Sequence, residues 1–359
     1  MRLRDFGVTP GRLPTGALNA ITDVPGVLVG HVTLIKGEGT WVEGEGPVRT
    51  GATAILPHEG NLFREKVAAG VHTINGFGKA TGFEQIRECG VIETPILLTN
   101  TLNVGKVADA VTAYMLRQNP DVALKTGSVG NVVGECNDGF LNDIRGRHVE
   151  EEHVYEAIET AAGGVVPEGC VGAGTGTACF QFKGGIGTAS RKVGEFTVGA
   201  LVQTNYGRRE ELLFLGAPIG EHLVGADMPK TGGGSIMMVL ATDAPFDSRQ
   251  LTRLAVRAGF GLARTGSVAH HDSGDFVIAF STTNRRMHYP ESAVETGVYI
   301  NEGGGNIEPF FLAVVESIEE AILNALVAAD TMTGRDGNTL YALPHDRLLE
   351  LLRKYGRLS

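Results

Sequence analysis

Ser235 follows three glycines, Gly232 to Gly234, and directly precedes the apolar run Ile236-Met-Met-Val-Leu240. A short, branched, apolar run predicts a strand buried on both faces, with Ser235 where a pliable loop meets a rigid core element. One reading is plain: a flexible glycine linker enters a strand. The other is chemical. Gly234 allows backbone conformations that a side chain forbids, so the Ser235 hydroxyl can attack the carbonyl preceding it. Water then hydrolyses the ester, and Ser235 becomes a new N-terminus carrying both a hydroxyl and an α-amine. A free α-amine has a pKa of about 7.7–8.0, near working pH, so it can serve as base for its own hydroxyl. That is the equipment of a hydrolase whose nucleophile is its own N-terminus.

Three other places carry residues fit for the same chemistry. Ser273 and Asp275 lie two apart at the entrance of the run Phe276-Val-Ile-Ala-Phe-Ser281, a spacing that puts both side chains on one side of a strand. A serine beside a carboxylate can orient the proton of an N-terminal amine; the same pair also suits a turn before a strand. Asn205 ends an apolar run at Asn205-Tyr-Gly207. Its amide can donate to a developing oxyanion, an effect of roughly 3–4 kcal/mol in a transition state, or it can simply close a turn. Glu135 sits among apolar and small residues in Val132-Val-Gly-Glu-Cys136, where an unpaired carboxylate is costly. It can hold a substrate ammonium, or pair with an Arg or Lys of the fold. His270-His271-Asp272 lacks a second spaced ligand pair such as His-Glu-x-x-His, so it reads as a surface turn and no metal is expected.

Gly233-Gly-Ser-Ile-Met-Met-Val-Leu-Ala-Thr-Asp-Ala-Pro245 resembles the self-cleavage motif of the L-aminopeptidase/D-esterase family, which includes the β-peptidyl aminopeptidases. Asp23-Val-Pro-Gly-Val-Leu-Val-Gly-His31, Pro57-His-Glu-Gly-Asn-Leu-Phe63 and Ile74-Asn-Gly-Phe-Gly-Lys79 resemble further segments of it. So do Glu93-Thr-Pro-Ile-Leu-Leu-Thr-Asn100, Gly184-Gly-Ile-Gly-Thr-Ala-Ser190 and Met332-Thr-Gly-Arg335. The segments keep family order from near residue 18 to the C-terminal helix, almost the whole chain.

The resemblance implies cleavage between Gly234 and Ser235, giving chains 1–234 and 235–359 of one domain. It implies Ser273 and Asp275 as partners of the nucleophile, with aspartate where the family often has glutamate, a methylene longer. It further implies Asn205 in the oxyanion hole and Glu135 as the amine-binding carboxylate, with Asn137 two residues on. The expected activity is hydrolysis of short peptides, amides or esters bearing a free amine, through an acyl-enzyme on Ser235 and with no metal or organic cofactor. A homo-oligomer of cleaved heterodimers, commonly a tetramer, is implied as well. Two related enzyme types remain as alternatives: hydrolases of 6-aminohexanoate oligomers and ornithine acetyltransferases. Both resemble this chain less, because their nucleophile is threonine. A binding protein that kept the fold without the chemistry is the third.

The elements that must position these residues alternate along the chain. Strands are expected within 18–34 and at 51–56, 95–98, 196–203, 236–240 and 276–281, with mixed strand and turn signals from Val132. Helices are expected at 81–89, 107–118, 150–162, 248–263, 311–329 and about 346–355. Gly169-Cys-Val-Gly-Ala-Gly-Thr-Gly-Thr177 departs from the Gly-x-Gly-x-x-Gly spacing and precedes a strand-like pattern, so it reads as a hairpin or pocket wall, with no dinucleotide implied. Such a mixture predicts α/β layers of sheet covered by helices. The resemblance sharpens this to a four-layer αββα sandwich of the N-terminal-nucleophile type.

Composition narrows the partners. The 359 residues carry 31 Lys and Arg against 41 Asp and Glu, and a formal charge of −10 disfavours nucleic acid and anionic membrane surfaces. Neither an N-terminal apolar signal nor a run of about 20 apolar residues is evident, so a cytoplasmic protein is expected. Cys89, Cys136, Cys170 and Cys179 are widely spaced and are expected as buried free thiols.

Overall fold

The computed structural model describes residues 1–225, 228–229 and 234–358. Gly232 and Gly233, the first two of the three glycines, lie outside them. In chain order the strands used below are β1 (Leu28–Lys36), β2 (Val48–Leu56), β3 (Glu65–Gly76), β4 (Val91–Ile92), β5 (Ile96–Asn100), β6 (Val132–Cys136), β7 (Ala178–Cys179), β8 (Phe182–Lys183), β9 (Ile186–Val193), β10 (Phe196–Asn205), β11 (Gly234–Thr242), β12 (Ser273–Ser281) and β13 (Arg286–Met287). The helices are α1 (Phe83–Cys89), α2 (Val104–Gln118), α3 (Glu151–Glu159), α4 (Ser248–Arg264), α5 (Glu308–Val327) and α6 (His345–Lys354).

One sheet runs β1-β2-β5-β6 and the larger runs β13-β3-β12-β11-β10-β9, with β4 paired to β3. Side-chain alternation along the strands sorts the core into layers. On β11, Ile236, Met238 and Leu240 pack with Leu254 and Ala258 of α4 and with Val314, Ile318 and Ile322 of α5. Met237 and Val239 point the other way, into a core shared with Ile55 of β2, Ile96 and Leu98 of β5, and Val132 of β6. The outer face of the smaller sheet, with Ala54, Leu97 and Val133, packs on Val107 and Val111 of α2 and Val154 and Ile158 of α3. The order is therefore helix, sheet, sheet, helix. Burying the side chains from Ile236 to Leu240, none more than 2% exposed, contributes about 1.5–3 kcal/mol each, so β11 is a firm platform for the residue at its mouth.

The expected helices and strands are present with shifted ends, and α4 begins at a reciprocal cap between Asp247 and Gln250. Two long strands, β3 and β9, went unrecognised in the sequence. Both are diluted by small residues because helices press on them. A Cβ on Gly70 would lie 2.5 Å from the Thr252 backbone nitrogen in α4, and one on Gly187 would lie 2.0 Å from the Ala321 carbonyl oxygen in α5. The glycine-rich stretch before Ala178 forms a buried 3-10 turn at Gly172–Gly174, and a tight β7–β8 hairpin follows it. The thiols need a correction: Cys136 and Cys179 are buried, whereas Cys170 is half-buried and Cys89 is exposed at the end of α1.

Candidate active site

Ser235 occupies the second position of β11, the central strand of the larger sheet. Its antiparallel partner on β10 is Asn205, and its parallel partner on β12 is Gly274; Gly234 pairs with Ser273 and Ile236 with Asp275. Strand alternation then divides the site between two faces. Ser235 and Asn205 share the face of Met237 and Leu201, which looks toward β6 and the second sheet. Ser273 and Asp275 share the face of Val277 and Ala279, which looks toward the helices. The peptide bond between Gly234 and Ser235 lies where the two meet.

The backbone of Gly234 is not in the left-handed region that the sequence allowed for, so what favours glycine there is close quarters. A Cβ would sit 3.2 Å from Ser273 Oγ and 3.3 Å from Tyr206 Cα and Cβ, so a side chain would press on the serine that borders the bond. The Gly234 N–H donates to the Asp272 carbonyl at 3.2 Å, tying the entry of β11 to the turn before β12. Ser235 is 2% exposed, and its hydroxyl lies near the Cys136 thiol without a hydrogen bond of ordinary geometry to any described residue. A buried hydroxyl with no partner carries a desolvation cost, and nucleophiles are groups for which such a cost is tolerated.

Ser273 Oγ donates to Asp275 Oδ1 at 2.7 Å, which is the pairing their spacing predicts. Asp275 is fully buried, and its Oδ2 has no partner among the described residues. Burial pushes its carboxyl up to about 6, against the partial relief of the Ser273 hydrogen bond and the nearby His270. Asn205 Oδ1 accepts from the Ala178 N–H at 3.0 Å. That bond fixes the orientation of the amide and leaves its NH2 free to donate, with no acceptor among the described residues.

Glu135 closes the cavity from β6. It is 3% exposed, and its Oε1 accepts from the Lys79 backbone N–H at 3.0 Å while Oε2 accepts from the Thr101 hydroxyl. Among the described residues no Arg or Lys side chain bridges to it, so the ion-pair alternative is not what the fold builds. Burial raises its carboxyl above the usual range, and the Thr101 and Lys79 hydrogen bonds, with the charge of the Lys79 side chain, only partly offset this. Glu135 and Ser235 line one cavity of about 420 Å³ with Phe77, Lys79, Thr101 and Asn137. The Ser235 hydroxyl and the Glu135 carboxylate therefore share a space large enough for a short substrate.

The profile of peptidase family S58 matches residues 19–340. The chain belongs to that family. The β-peptidyl aminopeptidase BapA of Sphingosinicella microcystinivorans is 46% identical to it, over all of this chain and 93% of the relative. A solved structure from Pyrococcus horikoshii OT3 superposes with a TM-score of 0.95 at 52% identity, covering 99% of this chain and all of that one. The L-aminopeptidase D-Ala-esterase/amidase of Ochrobactrum anthropi, described as a variant of the Ntn hydrolase fold, superposes with a TM-score of 0.92 at 40% identity, covering 100% of this chain and 99% of that one. Like the aminopeptidases of Sphingosinicella and Ochrobactrum, this S58 chain is a hydrolase of the aminopeptidase class.

Sequence reasoning missed the neutral groups that hold the site. Thr101 and the Lys79 N–H were not singled out, although both border segments that carry the S58 resemblance. Asn75 was also missed: its Nδ2 donates to the carbonyls of His270 at 2.9 Å and Ser273 at 2.5 Å, across β3 and β12, and so fixes the turn. Its signal is the local bulge, where the register of β12 on β3 shifts between Asp275 and Phe276. The His270-His271-Asp272 stretch is that turn, with His270 held 2.9 Å from Glu211. Among the described residues no group of three or more His, Cys, Asp or Glu is arranged to hold a metal ion.

Proposed function

We propose that this S58 peptidase cleaves itself between Gly234 and Ser235 and then works as a serine aminopeptidase with Ser235 as its N-terminal nucleophile. The observation that carries the reading is the shared cavity: a buried hydroxyl with no partner among the described residues and a carboxylate with no ion-pair partner among them face the same space. The Ser235 hydroxyl attacks the Gly234 carbonyl, an ester forms with the Ser235 amine as leaving group, and water releases the 1–234 chain. In turnover the freed amine takes the hydroxyl proton as Ser235 attacks the substrate carbonyl. Ser273 and Asp275 orient that amine from the helix side. The Asn205 NH2 donates to the oxyanion, and Glu135 holds the substrate ammonium; the amine product then leaves and water frees the acyl group.

Substrates are short peptides, amides or esters with a free amine. The uncleaved chain is a zymogen, because its base is locked in a peptide bond. Four free cysteines suit the reducing cytoplasm. Exposed Tyr289, Val294, Val298 and Tyr299 support self-association of cleaved heterodimers. No helix among the described residues is long and apolar enough to cross a membrane.

The test compares one good peptide substrate with its N-acetylated form. Hydrolysis of the free amine and none of the blocked peptide is expected; equal rates on both would remove the aminopeptidase reading.

A further inference from the structure

Lys183 lies in β8 and is completely buried, yet among the described residues no carboxylate lies within ion-pair distance of its Nζ. Three backbone carbonyls take its three donors: Gly184 at 2.7 Å, Thr177 at 2.8 Å and Gly174 at 3.1 Å. Burial lowers its pKa, so the fold bears a real cost to keep a cation there. The glycine-rich turn supplies two of these carbonyls, those of Gly174 and Thr177, because it is wedged between sheets: a Cβ on Gly174 would lie 2.5 Å from the Ile186 nitrogen, and one on Gly176 2.1 Å from the Arg49 carbonyl.

The carbonyl of Thr177 and the N–H of Ala178 belong to one peptide group. Lys183 binds its oxygen, and its N–H donates to Asn205 Oδ1 at 3.0 Å. We infer that Lys183 is a positioning residue for the oxyanion donor: its ammonium anchors and polarises the Thr177–Ala178 peptide, which orients and polarises the Asn205 amide toward the reacting carbonyl. Each hydrogen bond in such a chain strengthens the next, and the buried setting leaves the charge unscreened. The inference rests on the proposed role of Asn205.

The experiment is a double-mutant cycle on the processed enzyme, using Lys183→Met and Asn205→Ala singly and together, with kcat normalised to titrated active sites. Lys183→Met is expected to lower kcat about 10- to 100-fold with KM within about twofold, a fraction of what losing an oxyanion donor costs. In the Asn205→Ala background the same substitution should add less than about twofold, because its effect passes through the missing amide. A merely structural lysine would lower Tm and the fraction of active sites while leaving kcat per site unchanged, and that result overturns the inference. So does a full, multiplicative loss in the Asn205→Ala background, which leaves the oxyanion role of Asn205 standing. If Asn205→Ala alone turns over normally, both fall together. Should Lys183→Met not fold, Lys183→Gln, which keeps one amide donor and no charge, carries the same cycle with the same outcomes.

Discussion

Glu135 and Glu320 are both buried carboxylates, and the protein treats them in opposite ways. Glu320, on α5, is fully buried between Arg4 and Arg191, at 2.6 Å from each, and Asn19 Nδ2 donates to it at 2.6 Å. Burial alone would raise its carboxyl, but the hydrogen bond of Arg4 and the charges of Arg191 and Arg4 overcome that and leave it below its ordinary value. Glu135 is almost as buried and has only a hydroxyl and a backbone N–H as donors, so burial wins and its carboxyl rises. The first carboxylate is a clasp: it ties the N-terminal segment and β9 to α5, and its counter-charges are built in. The second has no ion-pair partner among the described residues, and the charge of Lys79 across the cavity only partly offsets its burial. Burial is common to both; the difference lies in whether an ion-pair partner is built in, as at Glu320, or is left, in the proposed reading of Glu135, to the substrate ammonium.

The largest effect on activity is expected from Ser235, the proposed nucleophile. Ser235→Ala should abolish both processing and turnover, and the purified variant should run as one uncleaved chain on a denaturing gel. Residual cleavage at 234 would show that another group attacks.

Next is the other raised carboxylate. Asp275→Asn should lower kcat about 10- to 1,000-fold while the fold persists, because the proposed amine base loses the charge that orients it. The pH profile sharpens the point. The amine base makes log kcat climb with pH toward its own pKa, and Asp275 must also be ionised, so below about pH 6 the wild-type slope should steepen from one to two. Asp275→Asn should keep a slope of one throughout; an unchanged profile would reduce the pair to a turn.

Glu135→Gln removes the charge proposed to hold the substrate ammonium. It should still process at Gly234–Ser235, which uses no free substrate amine, and lose about 10- to 150-fold in kcat/KM, as expected for a charge-assisted hydrogen bond of roughly 1.5–3 kcal/mol. Normal hydrolysis of free-amine substrates by the processed variant would move ammonium binding elsewhere.

Arg191→Met attacks the clasp and should do the reverse. Stripping a cation from a buried pair costs about 3–5 kcal/mol of stability, read as a lower midpoint in urea, while kcat per titrated active site stays unchanged. Were catalysis to suffer as much as stability, the two carboxylates would not be separable in this way.

Much of this site was legible before the fold was known, for specific reasons. Ser235 stood out because flexible glycine and rigid apolar strand meet there, and Ser273 and Asp275 because a spacing of two fixes a shared face. What stayed hidden depended on contacts distant in sequence. Lys79 and Thr101 reach Glu135 from 56 and 34 residues away, and a backbone N–H has no sequence signal at all. Strands β3 and β9 were obscured by glycines that helices α4 and α5 require, so a packing demand erased a local pattern. The division of Ser235 from Ser273 and Asp275 onto opposite faces follows from register between strands, which no single segment encodes.

The central claim is that Ser235 becomes both N-terminus and nucleophile, and intact mass of the wild-type protein stopped during turnover of an activated ester of an amino acid tests it most directly. Two chains are predicted, residues 1–234 and the 125 residues of 235–359, with the acyl mass on the second chain and, after digestion, on Ser235. An uncleaved chain with full activity, or an acyl group on any other residue, would contradict it.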